Sequence, residues 1–517
     1  MEARTIGVIG GGITGLSAQH FLSRSKSPFQ ISAKLYERSS RVGGWTATST
    51  RTYGAKGAVH MFERGPRSIR GSAAGHVTLG LVSLAGLGPK LLSPSSQAGK
   101  RLLYMHGRVV KLPSTLLEAV QSPILRYLPA FAWDFILTRS PASTKDESIG
   151  EFLRRYVGEA VTRDIVGGVV VGIYGGNLER LSMRSCFAAF HEAAVRRGSL
   201  VRGLLLSNPS PSYIDSVATA LQMSATERAQ YEEVVQRVKS AGGMFSFADG
   251  GVGALAKRLR ELHHSDIELD CTLIGISKPA SSANSSSSSS SSKLNLHFAR
   301  SSGITGGQQD ERIVTVDRAI AALPSYSLAP AIRSLSPNAS NLLSEIEFAH
   351  MALVSLAFEQ QPGQELIKPE HRGFGYLIPP VENRAVLGIS FDSLTFPTVS
   401  GPSLLRMCVM IGGDLTNNKH TVDVTKASEQ ALLDIALDAV RQDLKITVPP
   451  VSTDVFIAKN AIPQYVVGHE ERMRAIESYL DRDIPQLHLA GASYYGVSVN
   501  DCALSGMKAA ISAVAKL

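Results

Sequence analysis

"TIGVIGGGITGLSAQHFL", residues 5–22, decides the fold. "TIGVIG" is a short apolar run that reads as a strand, and Leu16, Ala18, Phe21 and Leu22 follow with helical spacing. Between them Gly10-Gly11-Gly12-Ile13-Thr14-Gly15 fits G-x-G-x-x-G. Gly10 permits the tight turn, Gly12 lets a pyrophosphate approach the backbone, and Gly15 lets helix and strand pack closely. The free N–H groups at the helix start then face phosphates. "FQISAKLYE" alternates Ile31, Ala33 and Leu35 as a second strand, and Glu37 ends it 22 residues after Gly15. A carboxylate at that spacing accepts hydrogen bonds from ribose hydroxyls, so a βαβ unit that binds an adenosine dinucleotide is predicted.

The next stretch narrows the nucleotide. In "ERSSRVGGWTATS", Arg41 precedes Gly43, Gly44 and Trp45. A plain nicotinamide domain does not need this second glycine loop, which reads as lying along the pyrophosphate and a flavin. In "FERGPRSIR", Gly65 and Pro66 shape a turn. Arg67 can supply positive charge there, or serve as a surface residue or an internal ion pair.

The far end carries a matching pattern. "QLHLAGASYYGVSVND", residues 486–501, is a strand, a turn of small residues and the start of a helix. Asn500 and Asp501 read as capping residues, and Ala503, Met507, Ala510, Ile511 and Val514 form an apolar stripe. That helix would turn its positive end to the redox end of the cofactor.

At 517 residues the chain exceeds what one core serves, so two or three domains are expected. Hydrophobic residues make up 44% and mean hydropathy is +0.05, which is globular. No uncharged apolar run reaches the roughly 18 residues of a membrane span. The net charge of +9 suggests anionic partners, but the basic residues are dispersed, so no nucleic-acid tail is indicated. Cys186, Cys271, Cys408 and Cys502 form no C-x-x-C pair; buried thiols are expected, with no disulfide scaffold and no metal site. Only about five residues precede the first strand, too few for a signal or transit peptide, so either none is needed or this sequence lacks one.

Residues 112–206 read as helical, with "ILRYLPAFAWDFIL" as either a buried helical lobe or a surface that dips into a bilayer; periodicity favours the former. "MFSFADGGVGALAKRLREL" is strand, turn and helix, and "IVTVDRAIAALP" is strand-like. The serine tract 281–292 between them reads as an exposed disordered loop. Four β-type runs between 346 and 413 suggest a largely antiparallel sheet, with an amphipathic helix after it.

The segments "GVIGGGITGLSA", "ERSSRVGGW", "GPRSIR", "GIYGGNLERLSMRSCF", "ADGGVGAL", "GFGYLIPP", "LGISFDS", "NAIPQY" and "LAGASYYGVSVNDC" resemble flavoproteins of the amine oxidase and phytoene desaturase superfamily. Within it they are similar to the oxygen-dependent protoporphyrinogen oxidase family of mitochondrial type. The resemblance implies an α/β fold: a Rossmann-like FAD domain assembled from distant segments, a mixed-sheet substrate domain and a helical membrane-binding lobe. The FAD domain would take 1–94, 243–325 and 455–517; the substrate domain 95–112, 207–242 and 326–454; the lobe 113–206.

It further implies non-covalent FAD held by Gly10, Gly11, Gly12, Ile13, Thr14, Gly15, Glu37, Arg41, Gly44, Trp45, Gly65, Pro66, Arg67, Ser68, Leu273, Ala492, Val497, Ser498 and Val499. Substrate contacts would be Arg101, Gly172, Phe374, Gly375, Leu377 and Met410, with Arg101 pairing a propionate. No side-chain acid or base is expected in the central step. The implied reaction oxidises protoporphyrinogen IX to protoporphyrin IX, with oxygen as acceptor and hydrogen peroxide as product. The implied setting is a homodimer on the intermembrane-space side of the mitochondrial inner membrane, with hand-off to ferrochelatase. Three other readings stay open: a flavin amine oxidase, a coproporphyrinogen oxidase and a non-catalytic carrier. The first usually carries a lysine that "IEFAHMALVSLAFE" lacks, although Tyr494 and Tyr495 partly resemble its aromatic pair.

Overall fold

A computed structural model describes residues 3–53, 58–71, 75–113, 115, 118–119, 122–137, 145–206, 213–279, 293–300, 311–361, 363, 365–397, 404–414 and 421–517. The serine tract expected to form a loop lies outside the described residues.

A five-stranded, all-parallel sheet gathers strands from across the sequence: Ile267–Glu268, Gln30–Tyr36, Ala3–Ile9, Arg318–Ala321 and Leu487–Leu489, in that spatial order. Ala3–Ile9 sits in the middle, with Ile6, Val8 and Ile9 buried, as a strand covered on both faces requires. "IVTVDRAIAALP" forms two strands rather than one: Glu311–Val316 joins a three-stranded antiparallel sheet and Arg318–Ala321 the parallel one. Asp317 is the pivot, its Oδ2 accepting the N–H and the hydroxyl of Thr5, each at 2.8 Å.

The first helix, Ile13–Arg24, lies directly against the last, Val499–Ala515. Ser17 Oγ donates to the Ala503 carbonyl at 2.8 Å, and the Cα of Gly506 faces the Thr14 carbonyl so closely that no Cβ fits between them. The stripe on the last helix is narrower than expected: Ala503, Met507 and Ala510 are buried, but Ile511 is exposed.

A second, seven-stranded mixed sheet runs Ser452–Pro463, Phe348–Glu359, Leu404–Gly412, Val386–Ser390, Gly375–Leu377, Leu102–Met105 and Arg108–Lys111. Its pairs are antiparallel except Gly375–Leu377 with Leu102–Met105. Helix Glu429–Leu444 covers one face, burying Leu432, Ala436 and Val440 against Leu356, Ile389 and Met407. The other face looks toward strand Ala58–Glu63 and the helices of 123–205.

Three segments differ from the domain division expected above. Strand Ser452–Pro463 crosses the 454/455 boundary, because its whole length pairs with Phe348–Glu359. Helices Tyr213–Ala220 and Ala225–Ser240 bury Val217, Tyr231 and Val234 in the cluster that holds Leu16, Val77 and Val499, so they belong with the cofactor layer. Helices Ser325–Ile332 and Pro337–Ser344 likewise pack with Ile9, Tyr36 and Leu487. An apolar stripe shows that a helix buries a face, not which sheet it covers.

In the helical lobe Asp134 is buried, and its Oδ2 accepts Ser199 Oγ and Val201 N–H, each at 2.9 Å. This joins helices Leu128–Ile136 and Leu200–Leu205. No described helix is long and apolar enough to cross a membrane, and the four cysteines are free.

Candidate active site

The N-terminal turn is built as a cradle. Gly12 is the N-cap of Ile13–Arg24 with no side-chain cap, so the first-turn amides remain available. A Cβ on Gly12 would meet nothing within 4 Å, so open space lies above the turn. Glu37 reaches this loop: its Oε2 accepts Gly11 N–H at 2.6 Å and its Oε1 accepts Ser39 N–H at 2.9 Å. The second loop packs directly on the first. Gly43 N–H donates to the Gly11 carbonyl at 2.7 Å, and Arg41 closes the loop by donating to the Gly44 carbonyl at 2.9 Å. Trp45 follows, and Gly65 abuts its carbonyl, which brings the Gly65–Ser68 turn to the same place. These uncapped amides, open space and nearby carboxylate suit a dinucleotide.

The terminal turn closes the cradle from the other side. Gly491 N–H donates to Ser505 Oγ at 3.0 Å, and Ala492–Tyr495 form one helical turn. The N-cap of the last helix is Ser498, not Asn500 or Asp501. Ser498 Oγ accepts Asp501 N–H and the Asp501 carboxylate accepts Ser498 N–H in a reciprocal box. Asn500 is used elsewhere, donating to the Arg70 carbonyl at 2.7 Å and accepting Thr78 Oγ1 at 2.7 Å. Val499 is buried, and Val497 packs against the lobe core. Leu273 stands apart from this group: Cys271, two residues earlier, donates its N–H to the Glu37 carbonyl, while Leu273 pairs with Phe298.

Tyr465, in "NAIPQY", has a role that spacing did not reveal. Its Oη accepts Gly496 N–H at 2.8 Å and donates to the Ala492 carbonyl, bracing both ends of the terminal turn. Its own carbonyl accepts Ser182 N–H at 2.8 Å, which ties the turn to the lobe.

The second sheet presents two rows to this space. Register places Leu377 beside Gly388, Gly388 beside Met410, Met410 beside Leu353, and Leu353 beside Phe456. Directly opposed residues share a face, so these form one apolar strip with a low point at Gly388. At one end Gly172 packs on Leu377, where a Cβ would lie 2.6 Å from Leu377 Cδ2. At the other end the Phe456 ring meets Trp45, centroids 6.3 Å apart. The strip therefore runs from the lobe to the cofactor loop. Gly388, Leu353 and Phe456 stand on the same strip as the expected Leu377 and Met410.

Two residues along, Gly375, Ser390, Cys408, Ser355 and Asp454 form a parallel polar row. Arg67 docks on it as an internal ion pair, Nε to Asp392 Oδ1 at 3.2 Å. Glu63 is beside it, accepting Val252 N–H and Thr48 Oγ1, each at 2.9 Å. Burial pushes the Glu63 carboxyl up to about 7 despite those bonds and the nearby Arg67. Its folded value is thus above its unfolded one, so its contribution to stability falls as pH rises from the ordinary carboxylate range to about 7. Phe374 lines the same cavity as Glu63, Arg67 and Asp392.

Residues 13–512 match the family model described as flavin containing amine oxidoreductase. Protoporphyrinogen oxidase of Bos taurus is 31% identical over 521 residues, covering 98% of each chain. The chain belongs to the flavin-containing amine oxidoreductase family, in its protoporphyrinogen oxidase branch. It is an oxidoreductase with FAD as cofactor. Coproporphyrinogen III oxidase of Bacillus subtilis is 25% identical, covering 98% of this chain and 96% of that one. A solved structure from Exiguobacterium sp. 255-15 shares the fold, with a TM-score of 0.74 at 21% identity and full coverage of both chains.

Within this family the cradle assigns itself: the residues of 10–15, Glu37 and the 41–45 loop would hold the dinucleotide, and the braced 492–499 turn its redox end. The Tyr494 and Tyr495 rings touch, centroids 6.0 Å apart, but their hydroxyls are engaged away from the strip. Tyr494 is buried and donates to the Leu323 carbonyl at 3.1 Å, while Tyr495 donates to Glu477 at 2.6 Å.

Proposed function

We propose that the chain oxidises protoporphyrinogen IX to protoporphyrin IX, the penultimate step of haem synthesis. The observation that carries this reading is the apolar strip from Gly172 and Leu377 to Phe456 and Trp45, which crosses five adjacent strands and ends at the cofactor loop. FAD held by the cradle would supply a two-electron acceptor for hydride lost from a bridging methylene; the six-electron oxidation needs three such rounds, with three molecules of oxygen as final acceptor and three of hydrogen peroxide as product. The strip residues Leu377, Gly388, Met410, Leu353 and Phe456 carry no titratable group, so the chain's part is positioning and exclusion of water. Arg101 begins at the Gly375 end of the polar row and pairs with a propionate there.

The deciding experiment is an anaerobic one. Adding protoporphyrinogen IX to the FAD-loaded protein should bleach the flavin band as porphyrin fluorescence appears. A flavin that bleaches with an amine but not with the porphyrinogen would overturn the reading.

The lobe supports a second part of the proposal, contact with a membrane surface. Trp133, Ile136, Leu204, Leu205 and the C-cap Leu206 are all exposed, on or just after two helices that Asp134 fastens together. Changing Trp133 and Leu205 together to Asp should release the protein from sedimenting phospholipid vesicles; unchanged sedimentation would refute the contact. In the same reading the enzyme is a homodimer at the mitochondrial inner membrane, facing the intermembrane space and handing product to ferrochelatase. Cell fractionation and cross-linking test that placement.

A further inference from the structure

Arg70 and Arg101 approach the site from different layers. Leu102 and Tyr104 are buried under helix Glu429–Leu444, while Leu103 and Met105 face the lobe and the strip. Alternation therefore puts Arg101 on the strip side. The parallel register, Tyr376 with Leu102, carried back one residue sets Arg101 beside Gly375 at the end of the polar row.

Arg70 comes from a small sheet of the cofactor layer. It pairs with Met244, and Leu92 pairs with Ser246 on the same strand. Met244 and Ser246 share a face, so Arg70 lies on the face that carries Ser246, which lines the cavity shared with Phe374. Phe374 in turn donates its N–H to the Lys100 carbonyl, next to Arg101, at 3.5 Å. Arg101 thus starts beside the Phe374 backbone, and Arg70 stands on the face of its sheet that turns to the cavity Phe374 lines. The Arg70 backbone is fixed there, its carbonyl accepting Asn500 Nδ2 at 2.7 Å.

Their neighbours make the pair unusual. Arg51 and Arg64 share Asp454, and Arg67 has Asp392. Arg70 and Arg101 are both exposed and have no carboxylate partner among the described residues, and partial desolvation together with the Arg70 charge holds the Arg101 guanidinium below its usual value. Two like charges set close together without a counter-ion leave a place for an anion.

We propose that Arg70 is a second carboxylate anchor, so that Arg70 and Arg101 hold the two propionates of the substrate at the rim between the cofactor layer and the second sheet. The proposal rests on the protoporphyrinogen reading above. It deepens it by naming a substrate with two acids on one side of the ring. Protoporphyrinogen IX carries its propionates on adjacent pyrroles; a tetra-acid spreads them around the ring.

The test compares the free diacid with its dimethyl ester as substrates for the FAD-loaded full chain. Arg70→Gln should raise KM for the diacid about tenfold, as loss of a charge-assisted bond does, and leave kcat within about twofold. The same variant should leave ester kinetics and the flavin spectrum unchanged, and Arg70→Lys should restore part of the diacid KM. An unchanged diacid KM, or an equal loss on both substrates, overturns the proposal while leaving the underlying reading intact. Wild-type protein that oxidises neither compound overturns both.

Discussion

Gly506→Val should give a protein that no longer retains FAD. The Gly506 Cα lies against the Thr14 carbonyl, where the first and last helices touch. A valine there must push apart two backbones, not two flexible side chains. Overpacking of this kind costs roughly 3 kcal/mol. The displacement falls where it matters most, because Thr14 belongs to the phosphate turn and Gly506 to the helix that Ser498 caps. Both halves of the cradle would move, so the bound-flavin absorbance per protein should fall to near zero while much of the second sheet stays folded. Gly506→Ala should show the same change in weaker form. Full flavin content in the valine variant would contradict this account of the helix crossing.

The second large effect is expected at Asp454. Its buried carboxylate accepts Arg64 Nε at 2.8 Å and Nη2 at 2.7 Å, and also pairs with Arg51. Arg64 lies over the Phe456 ring at 5.3 Å. Asp454→Ala strands two guanidiniums and loosens the paired strands Thr48–Tyr53 and Ala58–Glu63 from the second sheet. Breaking a buried pair costs about 3–5 kcal/mol, but both arginines are partly exposed to solvent, so about 2 kcal/mol is expected. Burial alone would raise the Asp454 pKa; bonds from Arg64 and Arg51 outweigh it and hold the carboxyl below its usual range. The folded value is thus the depressed one. Its stabilisation is present above the ordinary carboxylate pKa and is lost as pH falls through the folded value. Urea denaturation at several pH values should show the wild-type advantage over Asp454→Ala shrinking only in that acid window. A difference independent of pH would argue against an ionic origin.

Both glycine turns were legible because each is local. Gly10 to Gly15 and Gly491 to Val499 carry their geometry in consecutive residues, and chain proximity needs no tertiary knowledge to read. The capping box was equally readable, since Ser498 and Asp501 stand three apart before an apolar run, yet Asn500 and Asp501 drew attention as good capping types. The strip was not legible. Gly388, Leu353 and Phe456 become neighbours only through register between strands far apart in sequence, and a one-residue slip would turn each to the other face. Tyr465 was visible as part of a motif, but its partners Ala492 and Gly496 lie across the fold. Arg67 allowed surface, cofactor and ion-pair readings until Asp392 was placed beside it.

The strand order of the parallel sheet has a consequence for synthesis of the protein. The middle strand, Ala3–Ile9, pairs on one side with Gln30–Tyr36, which leaves the ribosome soon after it. Its other edge waits for Arg318–Ala321, and that strand waits for Leu487–Leu489. At about 5–20 residues per second the wait for Arg318–Ala321 is about 15 seconds to a minute. Through that interval a nascent chain displays an unpaired, apolar strand edge, the kind that invites wrong partners and chaperones. The flavin would be enclosed only once the final helix, Val499–Ala515, has emerged and docked, so cofactor loading would follow completion of the chain.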